Sequence, residues 1–312
     1  SDVYKRQGYV LYRNDGSQGG DVTVAIYETN DAATATTSTT GTSMEVTGLA
    51  GGTMYVFSVA AKSDAGLGDR SAVASVSTSS SKPTAPSASH QTASSISLEW
   101  SAPTVDTGVS ETGYRVYEVS VDSSPTKTYS LEYEGEAAEV ELSSLSSGTL
   151  YTYVVSVMSD AGESDKSDEM TASTAPGVAT ALVSTHQSSS SITLSWAEAP
   201  VDTGSAVTGY KVYDADGALV YDGRGDTATV TDHTTELNDL EGGTTYTLLV
   251  GALSASGESD RSASVDISTC PSAPTALTSV SQTTTSMVLS WSAPAVTSGE
   301  GVTCLLYTSD AA

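Results

Sequence analysis

Two Asp-Thr-Gly tripeptides are the part of this sequence that most resembles a pair of catalytic residues. One begins at Asp106 and the other at Asp202, within the stretch 201–205, which has the Val-Asp-Thr-Gly-Ser pattern found around a catalytic aspartate of aspartic proteases. Those enzymes hold two carboxylates across a cleft so that they share one proton. Here both tripeptides occupy the same position in successive copies of a repeated segment. We therefore interpret them as loops in which aspartate bonds local backbone and glycine supplies a positive φ.

The tripeptide Arg224-Gly225-Asp226 suggests a different chemistry, recognition by cell-surface integrins. It directly follows Tyr-Asp-Gly at 221–223, which matches Tyr-Glu-Gly at 133–135 one repeat earlier. This match predicts that the tripeptide lies in the turn between a C′-type strand and the E strand. The earlier copy has Glu-Ala-Ala in that turn. We favour a Gly/Asp-rich turn, and a receptor-binding site remains the alternative.

The histidines and cysteines do not have the spacing of a metal or catalytic centre. His90 and His186 occupy equivalent positions of two repeats, while His233 stands alone, so no second ligand lies at metal-binding spacing. Cys270 is the only cysteine before position 304, and a disulfide framework is therefore not expected. We predict a chain that is not an enzyme and that carries no cofactor and no metal.

The formal net charge of −26 limits the classes of partner. An acidic surface of this size repels phosphate, which argues against nucleic acid and against anionic lipid. No apolar run is long enough to span a bilayer. Carboxylates crowd two loops, 159–169 and 254–262, but neither loop has the fixed ligand spacing of a calcium site. We interpret both loops as solvated acidic surface and expect other proteins, or neighbouring repeats of the same chain, as partners.

A period of about 96 residues organises the sequence. A complete copy has a tryptophan at the end of an apolar stretch, then a Gly-Tyr-x-Val-Tyr-like stretch, and then a tyrosine that opens a second apolar stretch. The tryptophans are Trp100, Trp196 and Trp291, and the tyrosines are Tyr55, Tyr151 and Tyr246. Because the shared stretches alternate apolar and polar residues between Gly-, Pro- and Ser-rich turns, they predict half-buried antiparallel strands. About seven such strands in a hundred residues is the size of a β-sandwich.

These motifs resemble the fibronectin type III family, and the resemblance extends from Gly8 to Thr303. It rests on the B-strand tryptophan, the C-strand Gly-Tyr-x-Val-Tyr, and a leucine shortly before the F-strand tyrosine. Those leucines are Leu49, Leu145 and Leu240. The pairing of leucine and tyrosine is similar to the tyrosine corner, in which the phenol bonds back to the chain at the E–F turn. The resemblance implies an all-β chain of tandem immunoglobulin-like, seven-stranded sandwiches, with these tryptophans, leucines and tyrosines in the core.

The copies can be bounded from the spacing. Residues 8–79 form a truncated repeat without strands A and B, residues 80–174 and 175–269 form complete repeats, and residues 270–303 form the first strands of a fourth. Because only a few residues join successive copies, we expect neighbours to touch and pivot. Residues 1–7 and 304–312 back-translate to sequences that are largely reverse complements and resemble a sequencing adapter. We expect them to be an artefact at the ends of an internal fragment.

We expect a non-catalytic array that serves as spacer and as protein-interaction or adhesion scaffold of a larger extracellular or cell-surface protein. A second hypothesis makes it the linker of a secreted multidomain enzyme whose catalytic domain lies elsewhere. A third makes it an intracellular cytoskeletal array. Neighbouring sequence would discriminate among the three, because a signal peptide, a glycosidase domain or a kinase domain would each favour a different one.

Overall fold

The computed structural model describes residues 8–14, 24–28, 43–63, 65–103, 108–121, 126–224 and 230–298. Strands dominate these ranges, because aromatic and β-branched residues alternate with small polar ones between turn-forming residues. The predicted all-β class, with several antiparallel sheets, is confirmed.

The described part of the first repeat forms one sheet. Its strands are β1 (Gly8–Asn14), β2 (Val24–Glu28), β3 (Met54–Ser63), β4 (Gly66–Arg70) and β5 (Ala74–Ser77). The order across the sheet is β2-β1-β3-β4, and β5 also pairs with β3. In the usual lettering these are strands C, C′ and F, with strand G divided into β4 and β5.

The second repeat contains two sheets. Its strands are β6 (Ser87–Gln91), β7 (Ser95–Glu99), β8 (Glu111–Val121), β9 (Lys127–Gly135), β10 (Glu139–Ser143), β11 (Leu150–Ser159), β12 (Gly162–Glu163) and β13 (Met170–Ser173). One sheet has the order β10-β7-β6, and the other has β12-β11-β8-β9 with β13 beside β11. In the usual lettering these are the A-B-E sheet and the C′-C-F-G sheet, again with a divided G strand.

The third repeat has the same topology, and the fourth has two described strands. The strands of the third are β14 (Thr180–Gln187), β15 (Ile192–Ala197), β16 (Val207–Asp214), β17 (Leu219–Asp222), β18 (Thr234–Leu237), β19 (Thr245–Ser254), β20 (Gly257–Glu258) and β21 (Val265–Ser268). They form the sheets β14-β15-β18 and β17-β16-β19-β20, with β21 beside β19. The fourth contributes the hairpin β22 (Thr275–Gln282) and β23 (Met287–Ser292).

The chain divides into two compact units. The first consists of Ser1–Ser87, Leu98–Val140 and Thr152–Met170. The second consists of Ala88–Ser97, Glu141–Tyr151 and Thr171–Ala312. The second repeat contributes residues to both units, and the third repeat lies wholly in the second unit. The repeat boundaries derived from the sequence stay predictions.

The core of the third repeat shows how the alternation works. Ile192, Leu194 and Trp196 are buried from strand B, and Tyr210 and Val212 are buried from strand C. The Trp196 and Tyr210 rings lie 5.2 Å apart between centroids. Leu248, Val250 and Ala252 complete this core from strand F. In the first unit, the Trp100 and Tyr114 rings meet edge to face, with their centroids 5.5 Å apart.

Candidate functional site

Arg224, the first residue of the Arg-Gly-Asp tripeptide, is separated from the end of the edge strand β17 by Gly223. Arg224 is exposed, and its backbone N–H donates a hydrogen bond of 3.1 Å to Oδ1 of Asp222. The preceding Gly223 donates its N–H to the carbonyl of Tyr210. The next described strand is β18, in the other sheet, so Arg224 starts the connection between C′ and E. Gly225 and Asp226 lie outside the described residues.

The predicted tyrosine corners recur in three repeats. In each, the phenol oxygen accepts a hydrogen bond from the backbone N–H five residues earlier in the chain. The pairs are Tyr55 with Ala50 at 2.8 Å, Tyr151 with Ser146 at 2.9 Å, and Tyr246 with Glu241 at 2.8 Å. The associated leucines, Leu49, Leu145 and Leu240, are half-buried. This bond fixes the E–F turn to the start of strand F.

The tryptophans differ between repeats. Trp100 and Trp196 are 7% and 5% exposed, as expected for core residues. Trp291 is 42% exposed, so the prediction that it belongs to a core is wrong for the described structure. The physical reason is that β22 and β23 form a two-stranded sheet, and no second sheet covers its face among residues 270–298.

A second feature that recurs is a threonine at the end of strand G, which we call the exit threonine. Thr174 donates its hydroxyl to the carbonyl of Ser146 at 2.7 Å and accepts the N–H of Thr149 at 3.0 Å. The equivalent residues, Thr78 and Thr269, make the same two bonds in their own repeats. The chain therefore leaves each repeat beside that repeat's E–F turn.

Glu163, in the acidic loop of the second repeat, is surrounded by hydrogen-bond donors rather than by water alone. Its carboxylate accepts bonds from Arg115 at 2.9 Å, from Tyr117 at 2.7 Å and from Ser156 at 2.7 Å. Lys166 adds a positive charge at 3.8 Å. Burial alone would raise the pKa of Glu163, but these donors and this charge outweigh burial and lower it.

Aromatic rings extend this arrangement, which we call the glutamate cluster. The Lys166 ammonium lies 4.4 Å from the ring centre of Tyr117 and 5.1 Å from that of Tyr129. Arg115 also bonds Glu134 at 2.8 Å, and the two carboxylates together raise the pKa of the guanidinium. Cation–π contacts of this kind contribute about 0.5–1 kcal/mol at exposed sites.

The third repeat has the same cluster with different basic residues. Glu258 accepts a hydrogen bond from Tyr213 at 2.5 Å and from Lys211 at 3.1 Å. The guanidinium of Arg261 lies 3.7 Å from the ring centre of Tyr213. The interpretation of the acidic loops as purely solvated surface is therefore wrong for these two glutamates, which serve the internal packing of the C′-C-F-G sheet. Sequence reasoning missed them, although the recurring Gly-Glu-Ser-Asp followed by Lys or Arg was a usable signal.

The remaining reactive residues are dispersed. His90 and His186 are exposed, and His233 is half-buried against the Tyr210 ring. Cys270 is an exposed free thiol. Among the described residues, no group of three or more His, Cys, Asp or Glu side chains is placed to hold a metal ion. The same residues include no helix with the length and apolar character needed to cross a membrane.

The Asp-Thr-Gly loops contact the preceding repeat. The N–H groups of Asp202 and Gly204 both donate to the carbonyl of Gly148, at 2.9 and 2.8 Å. In the first unit, the N–H of Gly108 donates to the carbonyl of Gly52 at 2.8 Å. We call each such pairing of a B–C loop with the E–F turn of the repeat before it a joint. Asp106 and Thr107 lie outside the described residues.

The glycine of these loops has a role that differs from the one predicted. Neither Gly108 nor Gly204 has a positive φ, so the prediction that these glycines supply a positive φ is wrong. A Cβ on Gly204 would lie 2.7 Å from the carbonyl carbon and oxygen of Gly148. A Cβ on Gly108 would lie 2.2 Å from the backbone nitrogen of Met54. Glycine is required because two backbones approach closely.

Comparison with known proteins agrees with this architecture. The family described as "Fibronectin type III domain" matches residues 7–77, 81–173 and 175–268. Chitinase A1 of Niallia circulans is 36% identical over 177 residues, which cover 53% of this chain and 22% of that protein. The human receptor-type tyrosine-protein phosphatase H is 28% identical over 291 residues, which cover 90% of this chain and 24% of that protein. The chain thus spans less than a quarter of the length of these two relatives.

The crystal structure of the FN1–FN3 domains of chicken CNTN1 covers 86% of this chain and 91% of its own, with 17% sequence identity and a TM-score of 0.33. The family match covers most of the sequence, and its three segments coincide with the sheets and tyrosine corners described above. The chain belongs to the fibronectin type III family as a tandem repeat protein.

Proposed function

We propose that this chain is a non-catalytic array that acts as spacer and protein-interaction scaffold within a larger surface or secreted protein. The observation that carries the proposal is the exit threonine. Because Thr78, Thr174 and Thr269 each bind the end of strand G to the E–F turn, the first three repeats all pass the chain to the next repeat at the same place. A series of equivalent connections is what a spacer of defined length requires.

Exposed apolar residues on two edge strands support the proposed role in protein interaction. Strand β9 is an edge strand of its sheet, and its Tyr129 and Leu131 are 46% and 50% exposed. Leu219 on the equivalent edge strand β17 is also 50% exposed. Exposed aromatic and aliphatic residues on an edge, together with a net charge of −26, favour protein partners that carry a basic surface.

Stretching single molecules tests the spacer role. We expect unfolding in discrete steps, at least one each for the second and third repeats. A repeat of about 95 residues at about 3.6 Å per residue releases roughly 300 Å of chain after its folded length is subtracted. A single event that releases the whole chain, or extension without steps, would contradict a spacer built of separate repeats.

A second candidate is the linker of a secreted multidomain enzyme. The observation in its favour is that two relatives, Chitinase A1 and the Exoglucanase B of Cellulomonas fimi, are 36% and 32% identical, whereas the human receptor phosphatase is 28% identical. The sequence that flanks this chain in its parent transcript decides between the two. A glycoside hydrolase domain in the same reading frame supports the linker, and a membrane anchor without one supports the surface scaffold.

A further inference from the structure

We propose that the B–C loop of the second, third and fourth repeats is a docking element whose partner is the E–F turn of the repeat before it. Each joint would then act as a stop that limits pivoting, and the loop would not be a free binding loop. The inference goes beyond the spacer function, on which it rests, because it identifies the surfaces that set the spacing.

The same backbone contact recurs at three joints. The accepting glycines, Gly52, Gly148 and Gly243, follow the 96-residue period of the chain. At the third joint, the N–H groups of Thr297 and Ser298 donate to the carbonyl of Gly243, at 3.0 and 3.3 Å. Three independent copies thus bring the same loop to the same carbonyl.

A hydroxyl group beside the glycine adds specificity. Thr203 accepts the N–H of Leu150 on its side-chain oxygen at 3.0 Å. Ser298 occupies the equivalent position and accepts the N–H of Thr245, also at 3.0 Å. The loop thus satisfies both an acceptor and a donor of the preceding turn, which fixes its direction as well as its position.

Serine residues at the end of strand G complete the joints. Ser77 donates to the carbonyl of Gly108 at 2.6 Å. Its equivalent, Ser173, lies 2.9 Å from the hydroxyl of Ser205 and 2.6 Å from that of Ser256. Ser173 and Ser256 are buried, so these hydroxyls bond to each other with little access to water.

Steric fit explains why the joint tolerates little change. Gly148 has a positive φ of 60°, and a Cβ there would lie 2.8 Å from the Cα of Val201. Gly204 has no such strain of its own, and its missing Cβ faces only backbone atoms of the preceding turn. A methyl group at position 204 would therefore clash with the preceding turn at the joint. It would add no backbone strain within its own repeat, because Gly204 does not have a positive φ.

The test measures amide hydrogen exchange by NMR on the whole chain carrying Gly204→Ala. We expect the N–H groups of Asp202 and Leu150 to lose protection by about tenfold or more, because their bonds exist only at the joint. The N–H groups of Val212 and Val250, in the core of the third repeat, should keep theirs. Gly68→Ala is the matched control, because a Cβ there meets only the carbonyl oxygen of Ala61 at an ordinary 3.4 Å.

A second pair of variants, at Thr203, tests the same joint without adding a methyl group at Gly204. Thr203→Val removes the accepting oxygen without changing the shape, and should expose the N–H of Leu150, whereas Thr203→Ser should keep it protected. Unprotected joint amides in the unsubstituted chain, or full protection of Leu150 in Thr203→Val, would overturn the inference. Neither result would alter stepwise unfolding under force, so failure of the joint and failure of the spacer role are distinguishable.

Discussion

Replacing Glu163 by glutamine removes the charge at the centre of the glutamate cluster while keeping its size. The amide oxygen can still accept bonds from Tyr117 and Ser156, which now donate to a neutral group. The amide nitrogen, however, faces the donors of Arg115, which retains only Glu134 as its carboxylate partner among these residues. One charge-assisted hydrogen bond is lost and two are weakened.

The expected loss of stability follows from the geometry. A hydrogen bond to a charged group contributes about 1.5–3 kcal/mol, whereas an exposed ion pair contributes about 0–1 kcal/mol. The side chains of Arg115 and Glu163 are 28% and 26% exposed, so the pair lies between these cases. We expect a loss of about 2 kcal/mol for the second repeat. In a repeat of this size that lowers the melting midpoint by about 10 °C.

The same substitution changes the pH dependence. The pKa of Glu163 is lowered from its ordinary 4.5 in the folded chain, so the unfolded state binds the proton more readily. Its contribution is therefore fully present above about pH 4.5 and is lost as the pH falls through the lowered value. The difference in stability between the unsubstituted chain and Glu163→Gln should be largest near neutral pH and should shrink below about pH 4.5.

The assay has to resolve one repeat within an array, because a single unfolding free energy is not defined for several repeats. Hydrogen exchange with mass spectrometry on peptides from β11 and β8 provides that resolution. Glu132→Gln is the control, since it removes the same charge from an exposed position of the same sheet and should have an effect within about 0.5 kcal/mol. Equal effects of the two variants, or a difference that does not depend on pH, would refute the reasoning.

Three further outcomes are expected. Tyr151→Phe keeps the ring but removes the oxygen that accepts the N–H of Ser146. It should destabilise the second repeat by about 1 kcal/mol in the same exchange measurement. No change would show that the tyrosine corner does not stabilise the repeat. Trp196→Ala should lower the free energy of unfolding of the third repeat by about 3–5 kcal/mol and unfold that repeat. Trp291→Ala should leave the melting curve nearly unchanged, because that ring is 42% exposed. Comparable losses in the two variants would contradict the burial described above. We expect that Asp226→Glu does not change the adhesion of integrin-bearing cells to the folded chain, because Arg224 starts the connection that follows the edge strand β17. Adhesion that is lost in this variant would instead establish a receptor site.

The fold could be predicted because its determinants are local and periodic. Alternation in Ile192–Ala197 and Thr245–Ser254 places tryptophan, leucine and valine on one face, and the tyrosine corner has a fixed spacing along the chain. Each of these signals is weak alone, and its recurrence about every 96 residues makes the prediction specific. The core position predicted for Trp291 is wrong for the complementary reason, because burial depends on strands that the described part of its repeat does not contain.

The glutamate cluster and the joints could not be predicted to the same degree. Glu163 and Arg115 meet only because β8 and β12 lie on either side of β11, and nothing in their spacing along the chain indicates this. Likewise, the sequence does not show whether the glycine of an Asp-Thr-Gly loop is needed for a positive φ or for the close approach of two backbones. Gly204 serves the second purpose because the preceding turn lies against it, which is a tertiary fact.

The joints depend largely on backbone groups and on single hydroxyls, and this affects how such a gene can change. A copy of one period, inserted in frame, brings both a receiving turn and a docking loop with it, so the new junctions need no compensating substitutions. Deletion of a period closes the gap in the same way. The number of repeats can therefore change in steps of one while each new joint keeps the same donors and acceptors.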